Sequence, residues 1–184
     1  MKTPHLGFSL TELLTTLTLV IILSLSVTPN ASQSIIKNES ISNTSIIYRA
    51  LQSARTEAIR RQSDIRICGS NDGITCIKEW QNYLIIFQDK NKDKKAATNE
   101  IVTIENFTLR RGFIISRFAL GRSSLSINGR GETNLTGSFI YCPTSREPQY
   151  IQRITWNRIG RPYLGRDLNK DGIIDNTNGT PLSC

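Results

Sequence analysis

The chain has 184 residues, 38% hydrophobic and 21% charged, and its 23 Lys and Arg against 15 Asp and Glu give a formal charge of +8. That length suits one domain, or one domain with an appendage, and the composition excludes a collagen-like, polar disordered or multi-span membrane chain. The single histidine, His5, lies near the N-terminus, which excludes histidine general-base chemistry and His-rich metal sites in the body. The basic balance permits an acidic partner without identifying one, because net charge bears on solubility and steering rather than on fold.

In chain order, MKTPHLG is followed by the apolar run Phe8–Val27. As a helix this run would span roughly 30 Å at about 1.5 Å per residue, the depth of a bilayer's hydrocarbon core. Thr11, Thr15, Thr16, Thr18 and three serines dilute it, but hydroxyls in a helix can bond back to the preceding turn's carbonyls. An ordinary secretory signal peptide fits poorly. Val27-Thr28-Pro29 is not a small-x-small cleavage site. Glu12 sits inside the run, where a carboxylate costs roughly 2.5–3.5 kcal/mol near the bilayer centre and less near its edge. An acid so placed needs a partner, and an α-amino group freed by cleavage would be one. Lys2 precedes the run and favours a cytoplasmic N-terminus.

Gly7 followed by Phe8-Ser9-Leu10-Thr11-Glu12-Leu13 resembles the processing motif of type IV pilins and type II secretion pseudopilins. The resemblance implies that a prepilin peptidase cuts after Gly7 and that Phe8 becomes the N-methylated first residue. It also implies that Glu12 meets the Phe8 amino group of a neighbouring subunit during assembly. Pro29 falls where many pilins carry a helix-kinking proline. The chain would then be a single-pass inner-membrane protein with its head in the periplasm, later part of a filament and exposed at the cell surface. The alternative is a plain signal-anchored domain, uncut at Gly7.

From Asn30 to about Arg61 apolar residues recur at Ile35/Ile36, Ile46/Ile47, Leu51, Ala54, Ala58 and Ile59, and no Gly or Pro interrupts 31–64, so the spacing predicts a continuing helix. After Asp64 the period changes. Short β-rich runs are predicted at Ile65–Cys68, Tyr83–Phe87, Glu100–Phe107, Gly112–Phe118, Ser124–Ile127, Gly137–Cys142 and Gln149–Asn157, with punctuation at Gly69–Gly73, Asp89–Asn99, Gly121, Asn128–Gly131, Pro143–Pro148 and Gly160-Arg161-Pro162. The expected fold is α+β and pilin-like: one long N-terminal helix, transmembrane in its first half, packed on an antiparallel β-sheet head. The expected segments are a leader at 1–7, a membrane and filament-core helix at 8–29, its amphipathic continuation at 30–64 and the head at 65–184.

Four cysteines allow three connectivities. Cys68 and Cys76 flank a tight loop and are expected to pair, leaving Cys142 with Cys184; a periplasmic address makes both bonds plausible, and four free thiols are the alternative. Cys68, Asn71-Asp72-Gly73, Cys76, Trp80 and the Leu84–Phe87 run ending in Gln88-Asp89 resemble the head of the GspH/FimT family. So do Ile127–Gly131, Gly137–Cys142, and Ile154–Trp156 leading into Gly160-Arg161. The resemblance implies a minor pilin or pseudopilin, a structural subunit and not an enzyme. Such a subunit primes assembly or sits at the tip of a type IV pilus or type II secretion pseudopilus. Its implied partners are other pilin or pseudopilin subunits, prepilin peptidase and the inner-membrane assembly platform.

Two further expectations concern ligands. Some FimT-like proteins bind DNA for natural transformation through a C-terminal Gly-Arg-x-Arg motif; here Gly160 and Arg161 match and Tyr163 replaces the second Arg. Arg153, Arg158, Arg161 and Arg166 are the candidate phosphate contacts, with Trp156 or Tyr163 available for stacking, against the alternative of a solvated basic face. Asp167, Asn169, Asp171 and Asp175, with Gly172 between, follow the oxygen spacing of a Ca2+ loop, although Asn178 stands where a bidentate Glu is usual; the alternative is a polar turn.

Overall fold

The structure, a computed structural model, describes residues 7–91, 93, 95–107, 109–118, 123–176 and 178–184, without the side chains of 25–31. Lys2 and His5 of the expected leader, Gly121, and the side chain of Pro29 lie outside the described residues. One helix, α1 (Leu10–Arg61), precedes eight strands: β1 (Ile65–Ser70), β2 (Tyr83–Gln88), β3 (Ile101–Asn106), β4 (Gly112–Phe118), β5 (Ser124–Ile127), β6 (Gly137–Pro143), β7 (Gln152–Trp156) and β8 (Pro162–Leu164). The chain divides into two compact units, 1–35 and 36–184.

In the first unit Ser9 caps α1, its Oγ accepting the Glu12 N–H at 3.2 Å. The threonines bond as their helical setting predicts: the hydroxyls of Thr15, Thr16 and Thr18 each donate to the carbonyl three residues back at 2.9 Å. The apolar side chains of this stretch are exposed among the described residues of the unit. Exposure of the leucines, isoleucines and valine from Leu10 to Leu23 runs from 50% at Ile21 to 76% at Leu10. Among the described residues no helix is long and apolar enough to cross a membrane. The run read from the sequence as a span extends to Val27, into the side chains that are not described.

In the second unit α1 becomes one-sided. Ile47, Ala50, Leu51, Ala54 and Ala58 recur at three- and four-residue steps and are all buried. The helix ends in a Schellman turn: Gln62 takes φ +50, Ser63 N–H donates to Ala58 O at 3.2 Å and Gln62 N–H to Ile59 O at 3.3 Å.

The strands form two antiparallel four-stranded sheets, ordered β3-β2-β1-β5 and β4-β6-β7-β8, where the sequence reading expected a single sheet. Each strand's alternation explains the core. Leu84 and Ile86 of β2, with Phe139 and Tyr141 of β6, join the α1 stripe in the main cluster. Their neighbours Ile85 and Phe87 pack with Cys68 and Ala96 on the outer face of the first sheet. Ile140 and Cys142 pack with Ile151 and Leu182 on the outer face of the second. Both disulfides are present, Cys68–Cys76 with Cα atoms 5.5 Å apart and Cys142–Cys184 at 5.8 Å.

Several boundaries differ from the sequence reading: β1 runs on through Gly69 and Ser70 and β6 through Pro143, all read as punctuation. The run expected from Gln149 starts as strand only at Gln152, because Pro148 opens a 3-10 turn over Pro148–Tyr150. Gly160-Arg161-Pro162, read as punctuation, leads instead into β8, which begins at Pro162; a proline is tolerated at the first position of an edge strand.

Polar contacts lock α1 to the second sheet. The Glu39 carboxylate accepts the N–H groups of Arg110 and Arg111 at 3.0 and 2.9 Å and the Tyr141 hydroxyl at 3.1 Å. Burial, with Glu39 beside it, pushes the Tyr141 phenol above its usual range. Next to it, the buried Ser40 hydroxyl donates to Tyr150 O at 2.7 Å. Inside the first disulfide loop, Asp72 accepts from the Thr75 and Ile74 N–H groups and the Ser70 and Thr75 hydroxyls. These bonds hold its carboxyl well below the usual carboxylate range.

Glu39→Ala leaves two N–H donors and a buried hydroxyl without their acceptor, and is expected to lower unfolding free energy by about 1–3 kcal/mol, read from the urea midpoint. The folded-state pKa of Asp72 is depressed, so its stabilisation is present above the ordinary value of 3.8 and is lost as pH falls through the folded value. Asp72→Asn should therefore flatten the acid limb of a melting-temperature profile below about pH 4 while the curve near neutrality keeps its slope.

Candidate functional site

The Gly-Arg pair singled out in the sequence sits at a three-way junction. Gly160 takes φ +74, and a Cβ there would stand 2.1 Å from Gly131 O, so the 128–131 and 157–160 loops touch backbone to backbone. Arg55 of α1 fastens both, its Nε donating to Gly131 O at 3.2 Å and to Ile159 O at 3.3 Å. The glycine is thus needed for the close approach, and the residue after it, Arg161, leaves from a fixed point.

Beyond that junction lies a groove of about 490 Å³ lined by Tyr48, Gln52, Arg55 and Thr56 of α1 and by Arg161, Pro162 and Tyr163 at β8. Two guanidinium groups and two phenol rings line it, and among the described residues no carboxylate does. The polar atoms around the rings are satisfied locally: Gln52 Nε2 donates to Tyr48 Oη at 3.1 Å and Asn157 Nδ2 to Tyr163 Oη at 3.3 Å. The four α1 residues escaped the sequence reading. Gln52 follows Tyr48 by four residues, and Arg55 and Thr56 follow Gln52 by three and four, one helix face beside the buried stripe; that spacing was the available signal.

The four cations proposed for DNA contact are not brought together. Arg161 lines the groove, whereas Arg153 and Arg166 line a separate cavity of about 180 Å³. Arg153 is used internally: Nη2 donates to Asp175 O at 2.9 Å and Nη1 to Asn176 Oδ1 at 3.3 Å, and burial together with Arg117 depresses its pKa. Arg158 is exposed in the turn before Gly160, and its carbonyl accepts the Thr133 N–H. Trp156 is buried, its Nε1 donating to Leu135 O at 2.8 Å, so it is unavailable for stacking; Tyr163 is 45% exposed.

The C-terminal acidic loop is built as a set of turns. Asp167 accepts the Lys170 and Gly172 N–H groups at 2.6 and 2.8 Å, Asn169 that of Asp171 at 3.1 Å, and Asp171 that of Ile173 at 2.8 Å. Asp175, buried, accepts the Leu168 N–H at 2.7 Å. Among the described residues no three His, Cys, Asp or Glu side chains gather to hold a metal ion. In this structure Asp167, Asp171 and Asp175 brace the backbone of the loop.

At the other end of the chain, Phe8 is 81% exposed and Glu12 lies in the first turn of α1, where the helix dipole favours a negative charge.

Gly160→Ala should act through the junction. Strain at positive φ costs about 1–3 kcal/mol and the contact with Gly131 adds to it, so the variant is expected to melt at lower temperature by differential scanning fluorimetry.

The family described as type II transport protein GspH matches residues 44–160, from the head-packing part of α1 to the junction glycine. No curated protein matches the chain. Among solved structures, the type IV minor pilin FimU of Pseudomonas aeruginosa is similar at 16% identity over 85% of this chain and 99% of that one, with a TM-score of 0.54, and this likeness shows the fold. The minor pseudopilin EpsH from the type 2 secretion system of Vibrio cholerae covers 67% of this chain and 93% of its own length at 20% identity, with a TM-score of 0.45. With more than half its length matched by the family and its fold that of a pilin, the chain belongs to the GspH family: it is a minor pilin or pseudopilin, a structural subunit and not an enzyme.

Proposed function

We propose that the chain is an inner-membrane-anchored precursor that is cut after Gly7, methylated at Phe8 and then packed into a filament, where its head primes assembly or caps the tip. One observation carries this reading. The first unit's helix leaves its leucines, isoleucines and valine from Leu10 to Leu23 half or more exposed, and an extended apolar surface of that kind is met by lipid or by other helices. Lipid before assembly and neighbouring subunits after it would satisfy that demand in turn.

Glu12 fits both stages. In the membrane it lies near the edge of the apolar run and beside the positive end of the helix dipole, which lowers the cost of its charge. In a filament it would meet the amino group that cleavage creates at Phe8 of a neighbour, a charge pair shielded from water.

The intact mass of the native protein should correspond to a chain beginning at N-methylated Phe8. A native chain that still begins at Met1 would leave only an anchored domain. Glu12→Ala should be processed normally but recovered in filaments at least tenfold less; equal recovery would remove the assembly role of this acid. Deleting the gene and scoring piliation, secretion and transformation together separates a pilus from a secretion role.

A further inference from the structure

We infer that the groove between α1 and β8 is a docking site for a carboxylate-bearing segment of a neighbouring pilin subunit, an inference that rests on the filament-subunit reading. The groove is cationic without a compensating acid. Arg161 is exposed, and among the described residues its guanidinium has no hydrogen-bond or ion-pair partner; Arg55 uses Nε internally, leaving its two terminal nitrogens uncommitted. A guanidinium fork matches a carboxylate in a bidentate geometry. Tyr48 and Tyr163, their hydroxyls already bonded, offer ring surface on either side, and arginine with tyrosine is the composition of energetic centres in protein interfaces.

A nucleic acid is the weaker occupant. Tracking a phosphate backbone needs a run of available cations, and here Arg153 is tied to Asp175 and Asn176, Arg166 belongs to the other cavity and Trp156 is buried. The groove is local, a few side chains across, and suits one acidic segment.

The test uses the full chain in a non-ionic detergent and two fluorescent probes of equal charge, a hexaglutamate peptide and an oligo-dT. Hexaglutamate is expected to bind more tightly than the oligonucleotide. Arg161→Glu should weaken peptide binding at least tenfold, and so should Gln52→Glu, which places a like charge on the exposed helix wall of the same groove. Lys78→Glu, the same charge reversal at an exposed lysine outside it, should change binding less than twofold. Equal losses from Lys78→Glu would reduce the effect to diffuse attraction and overturn the site. Tighter oligonucleotide binding, sensitive to Arg161→Glu, would overturn it in favour of nucleic acid, and no peptide binding by the unmodified chain would remove it. Processing at Gly7 and the Glu12→Ala result do not depend on this groove, so failure here leaves the filament reading to be judged separately.

Discussion

Ala54 and Ala58 have no exposed surface, and the head depends on that fact. Their small side chains let α1 lie close against residues drawn from both sheets, so that Ile65, Ile67, Leu84 and Ile86 from one and Phe139, Tyr141, Ile154 and Trp156 from the other share one cluster with it. A helix with bulky residues at these positions would hold the sheets further away and open voids between them, which close-packed interiors do not tolerate. The two sheets meet through α1 and the aromatic contacts beside it, including Trp80 edge-on to Phe139 at 4.4 Å between ring centres.

Polar residues flanking that stripe then fix what the apolar contacts leave free. Glu39 and Ser40 tie α1 to the second sheet and its following turn, while Arg55, on the same helix, gathers two loops by their carbonyls. All but the Tyr141–Glu39 bond join a side chain to backbone, and such directional bonds specify position more sharply than non-directional burial does. The groove follows from them: because the 128–131 and 157–160 loops are clamped, Arg161 and Tyr163 are presented beside Tyr48 and Gln52 on a nearly fixed frame. The same logic governs the C-terminal loop. Its carboxylates are bound to backbone N–H groups, and Arg153 beneath it is bound to that loop, so residues that look ligand-seeking in a linear reading are braces.

The two units of the chain answer different solvents. The second buries its apolar stripe in its own core. The first leaves its apolar residues from Leu10 to Leu23 exposed, and the threonine hydroxyls on its polar face fold back onto carbonyls. An extended apolar surface of this kind is not stable in water and is expected to be met by lipid or by like helices.

Much of the fold was legible in the residues themselves. The shift from a three-to-four period before Asp64 to alternation after it placed α1 and seven of the strands, because burial on one face imposes those periods directly. Short-range spacing also pointed to the Cys68–Cys76 loop. What linear order could not show was every contact between residues far apart in sequence. The division into two sheets, the edge strand starting at Pro162, the Glu39 and Arg55 tethers, and the sorting of Arg161 into a groove with α1 but Arg153 into an internal tie were all decided by tertiary packing. A side chain's local pattern reports which face it occupies, whereas its partner depends on which distant backbone the core brings alongside.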